Sequence, residues 1–262
     1  MTPNNNIRRI RVIPVLLIHK GGLVKSVRFK DYTYVGDPIN AVKIFNEKEI
    51  DEIVIIDIDA TREKRGPNMS QVSAIAGEAF IPLAYGGGIS TIDEIKELFY
   101  LGVEKVVLNY AAVHNPSLIT EAARLVGSQS VVVSIDVKKN LFGKYKVYAQ
   151  NGAENTNEDP AAFARRMQET GAGEIFLNSI DRDGTYAGYD LELVKKVSSL
   201  LNIPLVVCGG AASITDFAPA VRQGASAVAA GSMFVFQRTH RAVLISYPSQ
   251  QDLREKLFKQ IV

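Results

Sequence analysis

The chain has 262 residues, 47% of them hydrophobic and 22% charged, with a formal net charge of +2. That balance fits a globular chain with a substantial core and gives no electrostatic reason to expect nucleic acid or a membrane as partner. One cysteine, Cys208, excludes an internal disulfide and a cysteine-based zinc site, and three histidines (His19, His114, His240) argue against a histidine-rich metal centre. No metal or cofactor is expected. The stretch Met1–Arg9 is polar and basic without an apolar core, so no signal peptide is read there, and no apolar run reaches the roughly 18 residues of a membrane span. The expected compartment is the cytoplasm.

In chain order, short β-branched runs alternate with amphipathic stretches. The strands are expected at Arg11–Leu17, Glu52–Ile58, Ile81–Tyr85, Lys105–Leu108, Ser130–Asp136, Glu174–Asn178, Pro204–Cys208 and Ala227–Ala229. Each is nearly continuous in apolar residues, as a strand buried on both faces must be. Helical spacing fills Pro38–Glu49, Ile92–Leu101, Pro160–Thr170, Asp190–Leu200 and Ile214–Gln223, the first opening on Asp37 as N-cap with Pro38 behind it. Ile18–Gly36 reads as a long basic loop after the first strand. Lys138–Thr156 reads as a hairpin turning near Phe142-Gly143 after the fifth. Eight strands alternating with helices point to a single (β/α)8 barrel over residues 1–262, a TIM barrel, rather than a doubly wound sheet.

The chain also repeats itself. EIVIIDIDATR from Glu52 resembles EIFLNSIDRDG from Glu174, and IPLAYGGGI from Ile81 resembles IPLVVCGGA from Ile203. The copies lie about 120 residues apart, the mark of a duplicated half-barrel.

Glycines close the third and seventh strands, Gly86-Gly87-Gly88 and Gly209-Gly210. Backbone N–H groups at such ends can approach a phosphate closely, although glycines there also serve plain tight turns. Two repeat-related sites on opposite sides of one barrel mouth suit a substrate with a phosphate at each end. Asn109 after the fourth strand and Gly231-Ser232 after the eighth would complete them. Carboxylates gather at the same strand ends: Asp57 and Asp59, Asp136, Asp181 and Asp183. One whose pKa is tuned by burial can transfer protons, and one in a turn such as DRDGT is as readily a loop cap. The repeat aligns Asp136 with Leu17, and leucine cannot transfer a proton.

At the opposite strand ends stand Arg11, Glu52, Lys105 and Glu174. Two cations and two anions there could close a salt-bridge ring under the barrel. Read from residues alone, a structural plug is the more economical role.

The segments VGDPINAVKIFNEKEIDEIVIIDIDA, YGGGIS, NYAAVHNPSLIT, GSQSVVVSIDVKK, GAGEIFLNSIDRDGTYAGYD and CGGA together resemble the cyclase subunit of imidazole glycerol phosphate synthase. The resemblance spans nearly the whole chain. It implies a glutaminase subunit docked on the N-terminal barrel face and ammonia passing through the barrel to a phosphorylated substrate. It makes Arg11, Glu52, Lys105 and Glu174 the ammonia gate, Asp136 one catalytic aspartate and Lys25 a substrate lysine on the first loop. The expected substrate and phosphate contacts are Lys25, Asp57, Gly86, Gly87, Gly88, Asn109, Asn178, Asp183, Gly184, Gly209, Gly210, Gly231 and Ser232. The family's second catalytic aspartate is Leu17 here. In that departure, and in the segment from Arg11 to Arg62, the chain is similar to a divergent branch associated with surface polysaccharides. Similarity to that branch implies a supply of ammonia, with a separate amidotransferase, for acetamidino groups on sugars. Two other readings stand beside this one: a histidine-pathway cyclase that tolerates Leu17, and a non-catalytic scaffold for the glutaminase.

Overall fold

The computed structural model describes residues 9–237 and 242–261; His240 lies outside them. Eight parallel strands close into a barrel: β1 (Arg11–His19), β2 (Ile53–Asp57), β3 (Leu83–Gly86), β4 (Lys105–Leu108), β5 (Val131–Lys139), β6 (Glu174–Ser179), β7 (Leu205–Cys208) and β8 (Ala227–Ala230). Each pairs with its neighbour in sequence, and β8 returns to β1 with Arg11 opposite Ala227. Helices α1 (Pro38–Asn46), α2 (Met69–Ala76), α3 (Ile92–Tyr100), α4 (Ser117–Val126), α5 (Pro160–Thr170), α6 (Leu191–Ser198), α7 (Phe217–Arg222) and α8 (Gln250–Lys256) follow the strands in turn. This is the expected (β/α)8 fold.

The strand alternation builds two apolar layers. Inward-facing Ile13, Val15, Val54, Ala84, Val107, Val132, Phe176, Val206, Ala227 and Ala229 fill the barrel. Their neighbours, Val12, Leu16 and Ile18 on β1 for example, pack outward under the helices. Both faces are covered, so polar residues within the strands, such as Ser134, Asp136 and Asn178, are found where the barrel interior opens into the mouth.

The helix starts follow cap chemistry. Asp37 Oδ1 accepts the Asn40 N–H at 2.9 Å ahead of Pro38, and Thr91 and Glu94 form a reciprocal capping box on α3. The stretch expected as a helix over Ile214–Gln223 divides instead into a 3-10 turn, Ile214–Asp216, and α7. Pro219 lacks the N–H that would bond back to Thr215, so the α-helix begins only at Phe217.

The Ile18–Gly36 segment is a hairpin rather than a loop. β1 pairs antiparallel with Gly22–Val27, which pairs with Lys30–Gly36. Its two-residue turn holds Arg28 at φ 53° and Phe29 at φ 61°. The second hairpin forms where expected: β5 runs on to Lys139 and returns through Tyr145–Ala149, with Asn140–Gly143 as the turn. Both hairpins rise from the C-terminal strand ends, around the mouth.

Candidate active site

Period two along β1 puts Arg11 on the inward side, below Ile13. There it meets Glu52, Lys105 and Glu174, each the first residue of its strand or the residue just before it. Arg11 binds both Glu52 and Glu174, and Lys105 Nζ closes the ring at 2.8 Å to Glu52 and 2.9 Å to Glu174. The carboxylates are buried and the two cations part-exposed, so the ring forms the barrel floor. The four residues meet as the sequence pattern anticipates. Toward the same end of the barrel, Phe80, in the connection from α2 to β3, is 84% exposed, and Tyr100, the last residue of α3, is 90% exposed.

At the mouth a cavity is lined by Lys25, Asp57, Gly87, Gly88, Asn109, Asp136, Asn178, Asp183 and Gly231, with Leu17, Ile56, Phe176 and Cys208 as its apolar base. Gly86, Gly184, Gly209, Gly210 and Ser232 do not line it. Gly86 sits within β3, where a Cβ would lie 2.8 Å from both Ile56 Cδ1 and the Val107 carbonyl. Gly210, at φ 104°, carries its chain against the Gly188 carbonyl and itself accepts the Gly188 N–H at 2.8 Å. Gly231 N-caps a four-residue helix, Ser232–Val235, and a short helix, Tyr110–His114, follows β4 at the related place.

Asp136 is held on β5 with Asn178 Nδ2 and Asn109 Nδ2 each donating at 3.3 Å. Burial pushes its carboxyl up to about 7, against the Asn178 hydrogen bond, and the nearby Asp183 pushes the same way. Near neutrality it can therefore both donate and accept a proton. Lys25 is wholly enclosed, its ammonium hydrogen-bonded to the Val15 carbonyl and packed against Gly231, where a Cβ would lie 2.6 Å from Nζ. Burial lowers it to about 8, with Asp183 opposing. Any side chain at position 231 would displace this ammonium. Asp183 accepts from Ser26 Oγ at 2.8 Å, and its carbonyl accepts the Arg28 N–H at 3.0 Å, tying the first hairpin across the mouth.

Asp57 is already satisfied. Arg65 binds it through both terminal guanidinium nitrogens, at 2.8 and 3.2 Å, and the N–H groups of Asp59 and Ala60 donate to it at 3.0 and 3.2 Å. Its acceptor capacity faces its own loop. Leu17 lines the cavity two residues before β1 ends at His19, rather than at the strand end expected from sequence, and presents no titratable group. Sequence reasoning missed Ser26, Phe29, Tyr32, Tyr110, Gln150 and Asn151 in the lining; of these, Ser26, adjacent to Lys25, and Tyr110, adjacent to Asn109, carried a signal by position. Among the described residues no cluster of His, Cys, Asp and Glu could hold a metal ion, and no helix is long and apolar enough to cross a membrane.

A family model described as "Histidine biosynthesis protein" matches residues 11–240. The chain belongs to that family. Within it the similarity runs to HisF-type cyclase subunits. A Pseudomonas aeruginosa protein provisionally named imidazole glycerol phosphate synthase subunit hisF2 is 51% identical over 94% of this chain and 98% of its own length. A Vibrio vulnificus protein provisionally named subunit hisF3 is 49% identical over 95% and 96%. The imidazole glycerol phosphate synthase subunit HisF of Alkaliphilus metalliredigens is 45% identical over 86% and 89%. The barrel described above is thus that of a HisF-type chain.

Proposed function

We propose that this chain is the synthase half of a glutamine amidotransferase. It takes ammonia from a glutaminase docked on the barrel floor and delivers it at the mouth to a phosphorylated sugar-type substrate, on the way to acetamidino sugars of surface polysaccharide. The observation that carries the redirected chemistry is Leu17. The mouth keeps a buried Asp136 and an enclosed Lys25, yet the β1 position that the repeat aligns with Asp136 holds Leu17, which has no titratable group. Two further observations support the ammonia route. The helix-to-strand end of the barrel, where the ring lies, also carries exposed Phe80 and Tyr100, aromatic anchors of the kind a docked partner covers. Above the ring the interior is apolar, including Ala84, Ala227 and Ala229, and such a path would keep ammonia unprotonated.

The alternative, a working histidine-pathway cyclase, draws on the 45% identity to the Alkaliphilus HisF subunit and on the intact Asp136. Turnover of the histidine-pathway substrate with an ammonium salt separates the two. General acid–base catalysis contributes on the order of 10²–10⁴ in rate, so loss of one of two such groups predicts negligible turnover, with Leu17→Asp raising what remains. A rate matching an ordinary cyclase overturns the redirected reading in favour of the histidine pathway.

A further inference from the structure

Two tyrosines line the mouth, and each is braced in the same way. Tyr32, on the outer arm of the first hairpin, stacks on His19 with ring centroids 4.9 Å apart and planes 27° apart. His19 Nδ1 lies 2.8 Å from Asp59 Oδ1, and the other oxygen of Asp59 accepts the Lys20 N–H at 2.7 Å. Tyr110, opening the short helix after β4, packs on His114 at 4.2 Å. His114 Nε2 lies 3.0 Å from Glu154 Oε1 on the second hairpin. Each rim thus carries a tyrosine backed by an imidazole that a carboxylate holds in place. A rim aromatic ordinarily gives up rotamer freedom when a ligand arrives; these rings have surrendered it beforehand. None of the six residues belongs to the floor ring or hydrogen-bonds Asp136, so the bracing answers to something else that enters the mouth.

We infer that Tyr32 and Tyr110 are stacking platforms for a nucleobase, and that the sugar enters this mouth as a nucleoside diphosphate conjugate. The inference rests on the phosphorylated-sugar reading above and narrows its substrate class. Every base has a π-face that an aromatic ring can hold without reading its sequence of donors. The diphosphate suits Lys25 and one glycine-rich strand end, the cavity-lining Gly87-Gly88, and the sugar is the acceptor of the amino group. A bare sugar phosphate would leave both braced rings against water.

Calorimetry on the full chain with uridine diphosphate, adenosine diphosphate and inorganic pyrophosphate at one ionic strength tests this. Both nucleotides should bind at least about tenfold tighter than pyrophosphate, the gain one base stacked on an aromatic ring supplies. Tyr110→Ala and Tyr32→Ala should each remove most of that preference and leave pyrophosphate binding in place. Tyr110→Phe and Tyr32→Phe should keep it, and melting curves confirm that all four variants fold. Equal binding of the three probes, or a preference that survives both alanine variants, overturns the stacking role while the phosphate site stands. Failure of every probe to bind overturns the stacking role and the phosphate-binding reading together.

Discussion

Asp136 should make the protein less stable as the pH rises from 4 to 7, and Asp136→Asn should abolish that loss. The carboxyl is buried beside Asn178 and Asn109 and titrates near 7 in the fold, against an ordinary value of 3.8. As pH rises past 3.8 the unfolded chain releases this proton while the folded chain keeps it. The folded state binds more protons throughout that window, so stability falls until the folded group itself ionises near 7, and the penalty is constant above that. At 1.36 kcal/mol per unit, a gap of roughly three units sets an upper bound of about 4 kcal/mol. Asparagine keeps the shape and cannot ionise. The variant should match the parent near pH 4 and exceed it at pH 8 by up to that amount, or up to about 15 °C in Tm. Lys25 does not confuse the comparison below pH 8. Its value is lowered from 10.5 to about 8, so its own penalty is fully present below 8 and relieved only at higher pH. Urea unfolding of parent and variant at pH 4, 6 and 8 measures the difference. A difference independent of pH, or an Asp136→Asn variant less stable than the parent at pH 8, would refute the burial argument.

Lys105→Met leaves Glu52 and Glu174 with Arg11 as their one cation in the ring; breaking a buried pair costs about 3–5 kcal/mol, less here because Lys105 is one-fifth exposed. Its Tm should fall by several degrees, Lys105→Met/Glu52→Gln should recover part of the loss, and glutamine hydrolysis should uncouple from product; an unchanged Tm and unchanged coupling would remove the ring from both roles. Gly210→Ala forces a side chain into the positive-φ region and against the Gly188 carbonyl, so it should destabilise by about 1–3 kcal/mol in a thermal melt, and a neutral result would contradict the close packing. Crystals grown in high phosphate should show an anion beside Gly87, Gly88 and Asn109 and another beside Gly209, Gly210 and Gly231; two empty ends would count against phosphate binding.

The barrel was legible because burial on both strand faces leaves runs such as EIVIIDI almost wholly apolar between their charged ends, and because the half-barrel repeat marks the same positions twice. The floor ring was legible for a related reason: in a strand so apolar, a charge at its first residue stands out against everything that follows. The first hairpin was hidden. Its turn uses Arg28 and Phe29 in the left-handed region that Asn-Gly pairs usually announce, and lysines and arginines mask its alternation. At the mouth, local sequence pointed to Asp57 as a ligand contact but could not show that Arg65, eight residues on, fills its acceptor sites. The tyrosine–histidine–carboxylate braces were equally invisible, since in each the histidine and its carboxylate lie 40 positions apart and only the closed barrel brings them together.

Closure of the sheet through β1 and β8 also sets a timetable for synthesis. Arg11 pairs with Ala227, about 200 residues later, and a ribosome adding 5–20 residues per second needs roughly 10–45 s to bridge them. For that interval the nascent β1, whose residues Val12 to Leu16 are all buried in the finished barrel, has an unsatisfied edge on its β8 side. The hairpin arm Gly22–Val27 emerges within a few seconds and covers only its upper end, opposite Leu17, Ile18 and His19. Newly made chains should therefore be captured by holdase chaperones through the lower half of β1, and slowing translation after β4 should increase that capture.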